Sequence, residues 1–225
     1  MGEIEFRQVH STQPVVDLIF RTIHTLLEKN ASILWLIGGG SAIEIAIQVA
    51  SQLNKSRNLE QLTVTLTDER YGPVGHRDSN WKQLQDRGFK LDNAKLLPVL
   101  TNKDFEQTAN SYGESLNKAL SQADYSLALA GMGPDGHIFG IKPNSPAVDS
   151  RNDVVAYKWD DYQRITPTAS FISRLDEVII YASGEEKHQQ IADLEKELSL
   201  QEQPAQLLKK LQKVTIFNNH IGGKV

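Results

Sequence analysis

The chain has 225 residues and no cysteine. Disulfides, a thiolate-bound zinc and a cysteine nucleophile are therefore excluded. It carries no long run of one charge sign and a net charge of −4, which argues against a polybasic nucleic-acid surface; no nucleic-acid partner is expected. No segment approaches the ~20 consecutive apolar residues that span a bilayer. The first residues, M-G-E-I-E-F-R-Q, lack the basic start and apolar core of a signal peptide. No membrane association is expected, and a cytoplasmic location follows as the simple reading. The six histidines are scattered, without an H-x₃-H pair or a ligand-spaced acid cluster, so no metal site is expected. Internal repeats and low-complexity segments are also missing. What remains is a chain that is 40% hydrophobic, enough for a buried core in one domain over residues 1–225.

Strand and helix patterns alternate. Val15, Leu18, Ile19, Ile23, Leu26 and Leu27 share one face of a helix over 14–29, with Pro14 in its first turn. Ile33–Ile37 is an apolar run suited to a buried parallel strand. Gly38-Gly39-Gly40-Ser41 follows, then a helical stripe from Ala42 to Leu53. That loop offers backbone N–H groups and a positive helix end to an anion. It also reads as a plain strand-to-helix turn with Ser41 as N-cap and Glu44 closing a capping box; a carboxylate there would repel a phosphate. Leu62, Val64 and Leu66 alternate with threonines in a strand pattern that runs into Thr67-Asp68-Glu69-Arg70. A helix is expected over 101–122, with Thr101 and Asp104 as a capping box. Strands are expected at Val154–Tyr157, Val178–Ala182 and Lys213–Phe217, and helices near 185–198 and 203–212. The alternation predicts an α/β fold, a parallel sheet covered by helices on both faces.

Residues 125–137 read Y-S-L-A-L-A-G-M-G-P-D-G-H. An apolar strand delivers a glycine-rich turn to the edge of the sheet, where open α/β sheets bind ligands. Asp135 and His137 sit two residues apart on it. A structural turn that contains a histidine would look the same. G131-M-G133-P-D-G136 also matches G-x-G-x-x-G, but that fingerprint should open a helix, and Pro143 and Pro146 break one early.

G-M-G-P-D-G-H closely resembles the signature of the 6-phosphogluconolactonases, a family related to the glucosamine-6-phosphate deaminases. The resemblance implies that His137 is a general base and Asp135 its orienting carboxylate. Asp68-Glu69-Arg70 followed by Ser79-Asn80 resembles the lactonase D-E-R…S-N motif and implies that Asp68 and Arg70 face the active site. The deaminases carry D-E-Y there, so Arg70 favours the lactonase branch. Gly39, Gly40 and Ser41 resemble the family's G-G-S-T-P phosphate loop, with Ala42 and Ile43 in place of Thr and Pro.

Further landmarks match in order. Arg164-Ile-Thr166 resembles R-x-T, Gly184-Glu-Glu-Lys187 resembles G-x-x-K, and Pro204-Ala-Gln-Leu-Leu matches another. Arg164 and Lys187 are thereby implied as the phosphate's cations, one binding as a fork and the other as a point charge; each reads equally as a surface cation when taken alone. After His137 the family expects T-A-S-L-F-P-G, whereas this chain reads I-F-G-I-K-P-N: Ser becomes Gly140 and an apolar residue becomes Lys142, which reads either as a contact to an anionic substrate or, the preferred reading, as a side chain pointing to solvent. Asn219 stands where many relatives carry aspartate. His76 and Arg77, between the halves of the D-E-R…S-N motif, read either as substrate contacts or as parts of a solvated loop. The resemblance implies a three-layer, mostly parallel, modified Rossmann-type sandwich. It also implies hydrolysis of a phosphorylated sugar lactone, 6-phospho-D-glucono-1,5-lactone, with Arg70 as a possible assistant and no cofactor.

Overall fold

A computed structural model describes residues 3–159 and 162–224. In chain order the elements are β1 (Glu3–Gln8), α1 (Gln13–Glu28), β2 (Ile33–Ile37), α2 (Ser41–Leu53), β3 (Leu62–Leu66), β4 (Glu69–Arg70), α3 (Asn80–Asp86), β5 (Lys95–Leu96) and α4 (Phe105–Ser121). Then come β6 (Tyr125–Gly131), β7 (Val154–Trp159), β8 (Tyr162–Pro167), α5 (Ala169–Ile172), β9 (Glu177–Ala182), α6 (His188–Ala192), β10 (Lys213–Asn218) and β11 (Gly223–Lys224).

The main sheet has eight strands in the order β11-β1-β10-β9-β6-β2-β3-β5. Every pairing in it is parallel. All five residues of β2 are buried, which requires cover on both faces and explains why the run reads as continuously apolar rather than alternating. Helices provide that cover, as expected. On α1, Val15, Ile19, Ile23 and Leu27 are fully buried, and Val49, Ala50 and Leu53 do the same on α2. From β2 the chain proceeds to β3 and β5 on one side, and then returns to β6 on the other. The topological switch point therefore lies between β2 and β6, and ligands bind outside the carboxyl ends of the strands at such a point.

Several local features differ from the sequence reading. A second, antiparallel sheet, β4-β8-β7, stands beside the main one; its central strand contains the Arg164-Ile-Thr166 segment. β1 arises from the alternation Ile4, Phe6 and pairs with β10. Ser41 lies inside α2 rather than capping it: Gly40, at φ 62°, takes the cap position, and the Glu44 carboxylate accepts from Gln48 Nε2 at 3.0 Å on the exposed face. α4 starts at Phe105 because Asp104 is the cap, accepting from Gln107 N at 2.8 Å, so no helix or capping box starts at Thr101. The helix expected over 185–198 is three short pieces, with Ile191 and Leu194 as its buried anchors. At 204–210 the chain forms a 3₁₀ segment, because Pro204–Leu208 are buried consecutively and no single helix face holds five neighbours.

Candidate functional site

Four loops meet at the carboxyl edge of the sheet, following β2, β3, β6 and β9, which are contiguous in the strand order. They surround a cavity of about 360 Å³. Gly39, Gly40, Ser41, Asp68, Arg70, His137, Arg164 and Lys187 all line it. Asp135 stands behind His137. The structure thus brings together the nine residues that the resemblance implies for the site.

The loop after β2 leads straight into α2, whose first-turn amides have no acceptor within the helix and carry its positive end. Gly39 is packed directly on Asn80: a methyl at Gly39 would stand 2.4 Å from Asn80 Oδ1. Asn80 in turn donates from Nδ2 to the Asp68 carbonyl at 2.9 Å, tying the glycine loop to the D-E-R loop. Glu69 organises the latter. Its carboxylate accepts from the amides of Arg70 and Asn80 (both 2.7 Å) and Trp81 (3.1 Å), and from Ser79 Oγ at 2.8 Å. Burial pushes the Glu69 carboxyl pKa up, and these four donors pull against it. Glu69 is therefore the internal brace that aims its two neighbours, Asp68 and Arg70, at the cavity.

Arg70 and Arg164 face each other across the β4–β8 pair. Two like charges directly opposite repel, and the Tyr162 ring relieves this. The Arg70 guanidinium lies 4.9 Å and that of Arg164 5.4 Å from its centroid, within cation–π range. Arg70 also donates to the Asp78 carbonyl at 3.1 Å, and Arg164 Nη1 lies 3.9 Å from Asp68 Oδ2. Tyr162 lines the cavity and was missed in the sequence; a tyrosine two residues before Arg164 on an alternating strand was the available signal.

After β6 the chain turns sharply. No helix follows the glycines; residues 132–150 are turns and bridges, so the geometry a dinucleotide fingerprint requires is missing. His137 Nδ1 lies 2.5 Å from Asp135 Oδ1. Burial would raise the Asp135 pKa, but the hydrogen bond and charge of His137, joined by Lys142, outweigh it and hold the carboxyl well below the usual carboxylate range. A carboxylate only accepts, so Nδ1 carries the proton and donates to it. That leaves the lone pair on Nε2. Lys142 corrects the sequence reading. Its side chain is 17% exposed and its Nζ sits 3.0 Å from Asp135 Oδ2, directed into the site rather than to solvent. Phe139 and Gly140 adopt φ of 54° and 75° to make the reversal. A side chain at residue 140 would collide with Asp68, the added methyl standing 2.7 Å from its Cβ, which accounts for glycine there.

Lys187 closes the 3₁₀ turn Glu185–Lys187 after β9. Asn219 supports that turn, its Oδ1 accepting from Gly184 N at 3.1 Å and lying 3.2 Å from His188 Nε2. An asparagine oxygen supplies here the acceptor that a carboxylate would. His76 folds back, its Nε2 donating to the Arg70 carbonyl at 2.9 Å, and Arg77 is 93% exposed. Neither lines the cavity. Four cations (Arg70, Lys142, Arg164, Lys187) thus surround it against one lining carboxylate, Asp68, a field suited to an anionic ligand.

The family model for glucosamine-6-phosphate isomerases/6-phosphogluconolactonase matches residues 8–217. The chain belongs to this family. A curated 6-phosphogluconolactonase of Chlamydia pneumoniae is 23% identical over 176 residues, covering 76% of this chain and 67% of that protein. The crystal structure of 6-phosphogluconolactonase from Thermotoga maritima superimposes with a TM-score of 0.82 at 22% identity, covering 96% and 99% of the two chains. A monomeric glucosamine-6-phosphate deaminase superimposes with a TM-score of 0.78 at 20% identity over 95% and 96%. Both branches of the family thus share this fold, and the site residues must distinguish them. No helix among the described residues is long and apolar enough to cross a membrane.

Proposed function

We propose that the chain is a 6-phosphogluconolactonase. It would hydrolyse 6-phospho-D-glucono-1,5-lactone to 6-phosphogluconate, the lactone-opening step of the oxidative pentose phosphate pathway. The observation that carries the reading is the Asp135–His137 pair, 2.5 Å apart, at the rim of a cavity lined by four cations. The similarity to a curated 6-phosphogluconolactonase and the D-E-R triplet support the lactonase branch.

In this reading His137 Nε2 takes a proton from water as the oxygen adds to the lactone carbonyl carbon. Asp135 holds the tautomer and stabilises the imidazolium. The carbonyl oxygen becomes an oxyanion, for which the N–H groups of the glycine-rich turn are the available donors, with Arg70 nearby. The bond from the carbonyl carbon to the ring oxygen then breaks, and the imidazolium returns its proton to that oxygen. The remote phosphate is held by Gly39–Ser41, Arg164 and Lys187. That anchor aligns the carbonyl with the base and lowers the entropic cost of the reaction.

The discriminating assay offers the purified protein both substrates. Lactone opening above the spontaneous rate supports the proposal. Ammonia release from glucosamine-6-phosphate without lactone opening would overturn it in favour of the deaminase branch. Phosphosugar binding with neither turnover would leave a non-catalytic binding protein.

A further inference from the structure

The Asp135–His137 pair has a third member. The loop after His137 doubles back through the bridges Met132–Ile138 and Ile138–Ile141, and this brings residue 142 back to the dyad. Lys142 Nζ lies 3.0 Å from Asp135 Oδ2 and 3.0 Å from His137 Nδ1.

The second of these contacts has two chemical readings. If Nδ1 were the lone-pair nitrogen, Lys142 would donate to it, but an ionised Asp135 oxygen would then face that lone pair at 2.5 Å with no proton between them. That arrangement is repulsive. With Nδ1 protonated, the carboxylate bridges two donors, Nδ1–H on Oδ1 and Nζ–H on Oδ2. The ammonium and the ring nitrogen are then neighbours because they share one acceptor.

We infer that Lys142 is a positioning residue that acts through Asp135, an inference that rests on the lactonase reading for its effect on rate. The terminal torsion of an aspartate is broad, and the Asp135 side chain is 40% exposed, so water competes for both oxygens. His137 engages only Oδ1, through ring Nδ1 and its backbone N–H at 3.3 Å, and bonds to one oxygen leave the carboxylate free to turn about it; a contact on the other oxygen fixes the plane. With the plane fixed, the imidazole stays in the Nδ1–H tautomer and Nε2 stays available to water. Gly133 closes the opposite side, leaving no room for even a methyl beside the ring. This chain therefore uses a Lys–Asp–His chain of contacts where the family pattern places an apolar residue.

The test is ¹⁵N NMR of the His137 imidazole, joined to steady-state kinetics, in wild type, Lys142→Met and Lys142→Arg. Wild type should show a single Nδ1–H tautomer. Lys142→Met, which keeps the length and loses the charge, should show mixed tautomers. Its kcat should fall about tenfold, beyond any rise in KM from the loss of one cavity cation. Lys142→Arg, which keeps a cation on Oδ2, should restore the single tautomer. An unchanged imidazole spectrum in folded Lys142→Met, or an Nε2–H tautomer in wild type, would overturn the inference. A tautomer shift in a protein without lactonase turnover would uphold it while removing the proposed reaction.

Discussion

Gly133→Ala is the most selective perturbation of the dyad. Gly133 is not among the glycines with positive φ, so its backbone accepts alanine. The space does not: the new methyl would stand 2.1 Å from His137 Nδ1, 2.2 Å from Cε1 and 2.6 Å from Asp135 Oδ1. Relieving this to an ordinary contact moves the ring by about 1 Å, and misplacement on that scale costs about 100-fold in rate. That corresponds to roughly 2.7 kcal/mol of transition-state stabilisation. The ring is 28% exposed and borders the cavity, so it has somewhere to go and the fold should survive. The expected result is a variant with a melting temperature within a few degrees of wild type, unchanged calorimetric affinity for 6-phosphogluconate, and kcat for the lactone reduced about 100-fold. Wild-type turnover in the folded variant would refute the reasoning, because the ring position would then not matter. Loss of affinity in parallel with rate would refute it too, since the damage would have spread to the anchor.

Arg164→Ala should weaken 6-phosphogluconate binding by about tenfold or more, the worth of a hydrogen bond to a charged group, and unchanged affinity by calorimetry would show the anchor to be misplaced. Tyr162→Leu removes the ring between Arg70 and Arg164; at ~0.5–1 kcal/mol per contact it should raise KM several-fold with kcat little changed, and an unaltered KM would count against the ring as an arginine spacer. Asp153 ties β7 to α4 and α5 through Ser170 Oγ (2.8 Å), Asn117 Nδ2 (2.9 Å) and Arg174 (2.8 Å). Burial raises its pKa, but these partners outweigh it and lower the carboxyl net. Its stabilisation is therefore present above the ordinary carboxylate pKa of ~3.9 and is lost as the pH falls through the lower folded value. Asp153→Asn should lower the melting temperature by about 2–4 °C at pH 7. As the pH falls through the lowered folded value the gap should close, and a gap independent of pH would contradict the assignment.

The central strands of the main sheet were legible because they are buried on both faces and so read as short, continuously apolar runs: Ile33–Ile37 and Val178–Ala182 were placed to within a residue. The second sheet was legible only at β7, whose Val154–Tyr157 run was expected as a strand. β4 is two residues long and charged, and its partner strand β8 carries Arg164 as a cavity residue, so neither has the apolar signature that marks a strand. α3 escaped for a related reason: it is held by Ser79 as its cap and by the buried Glu69 carboxylate, a contact ten residues apart that no local pattern reveals. Among the residues around the cavity, those inside dense motifs were singled out in the sequence. Tyr162 was not singled out and Lys142 was read by preference as solvent-facing, because their place beside the cavity comes from what the fold lays next to them. Lys142 looks like a surface cation until the chain reverses at Phe139 and Gly140, both at positive φ.

The central claim is that His137 activates water against a phosphorylated lactone. Its most direct test is the hydrolysis rate of freshly generated 6-phosphoglucono-1,5-lactone, corrected for spontaneous opening, in wild type and in folded His137→Ala. The account predicts enzyme-dependent opening in wild type and a fall of at least ~100-fold in the variant, with affinity for 6-phosphogluconate retained. A folded variant that turns over like wild type, or a wild type no faster than the uncatalysed reaction, would contradict it.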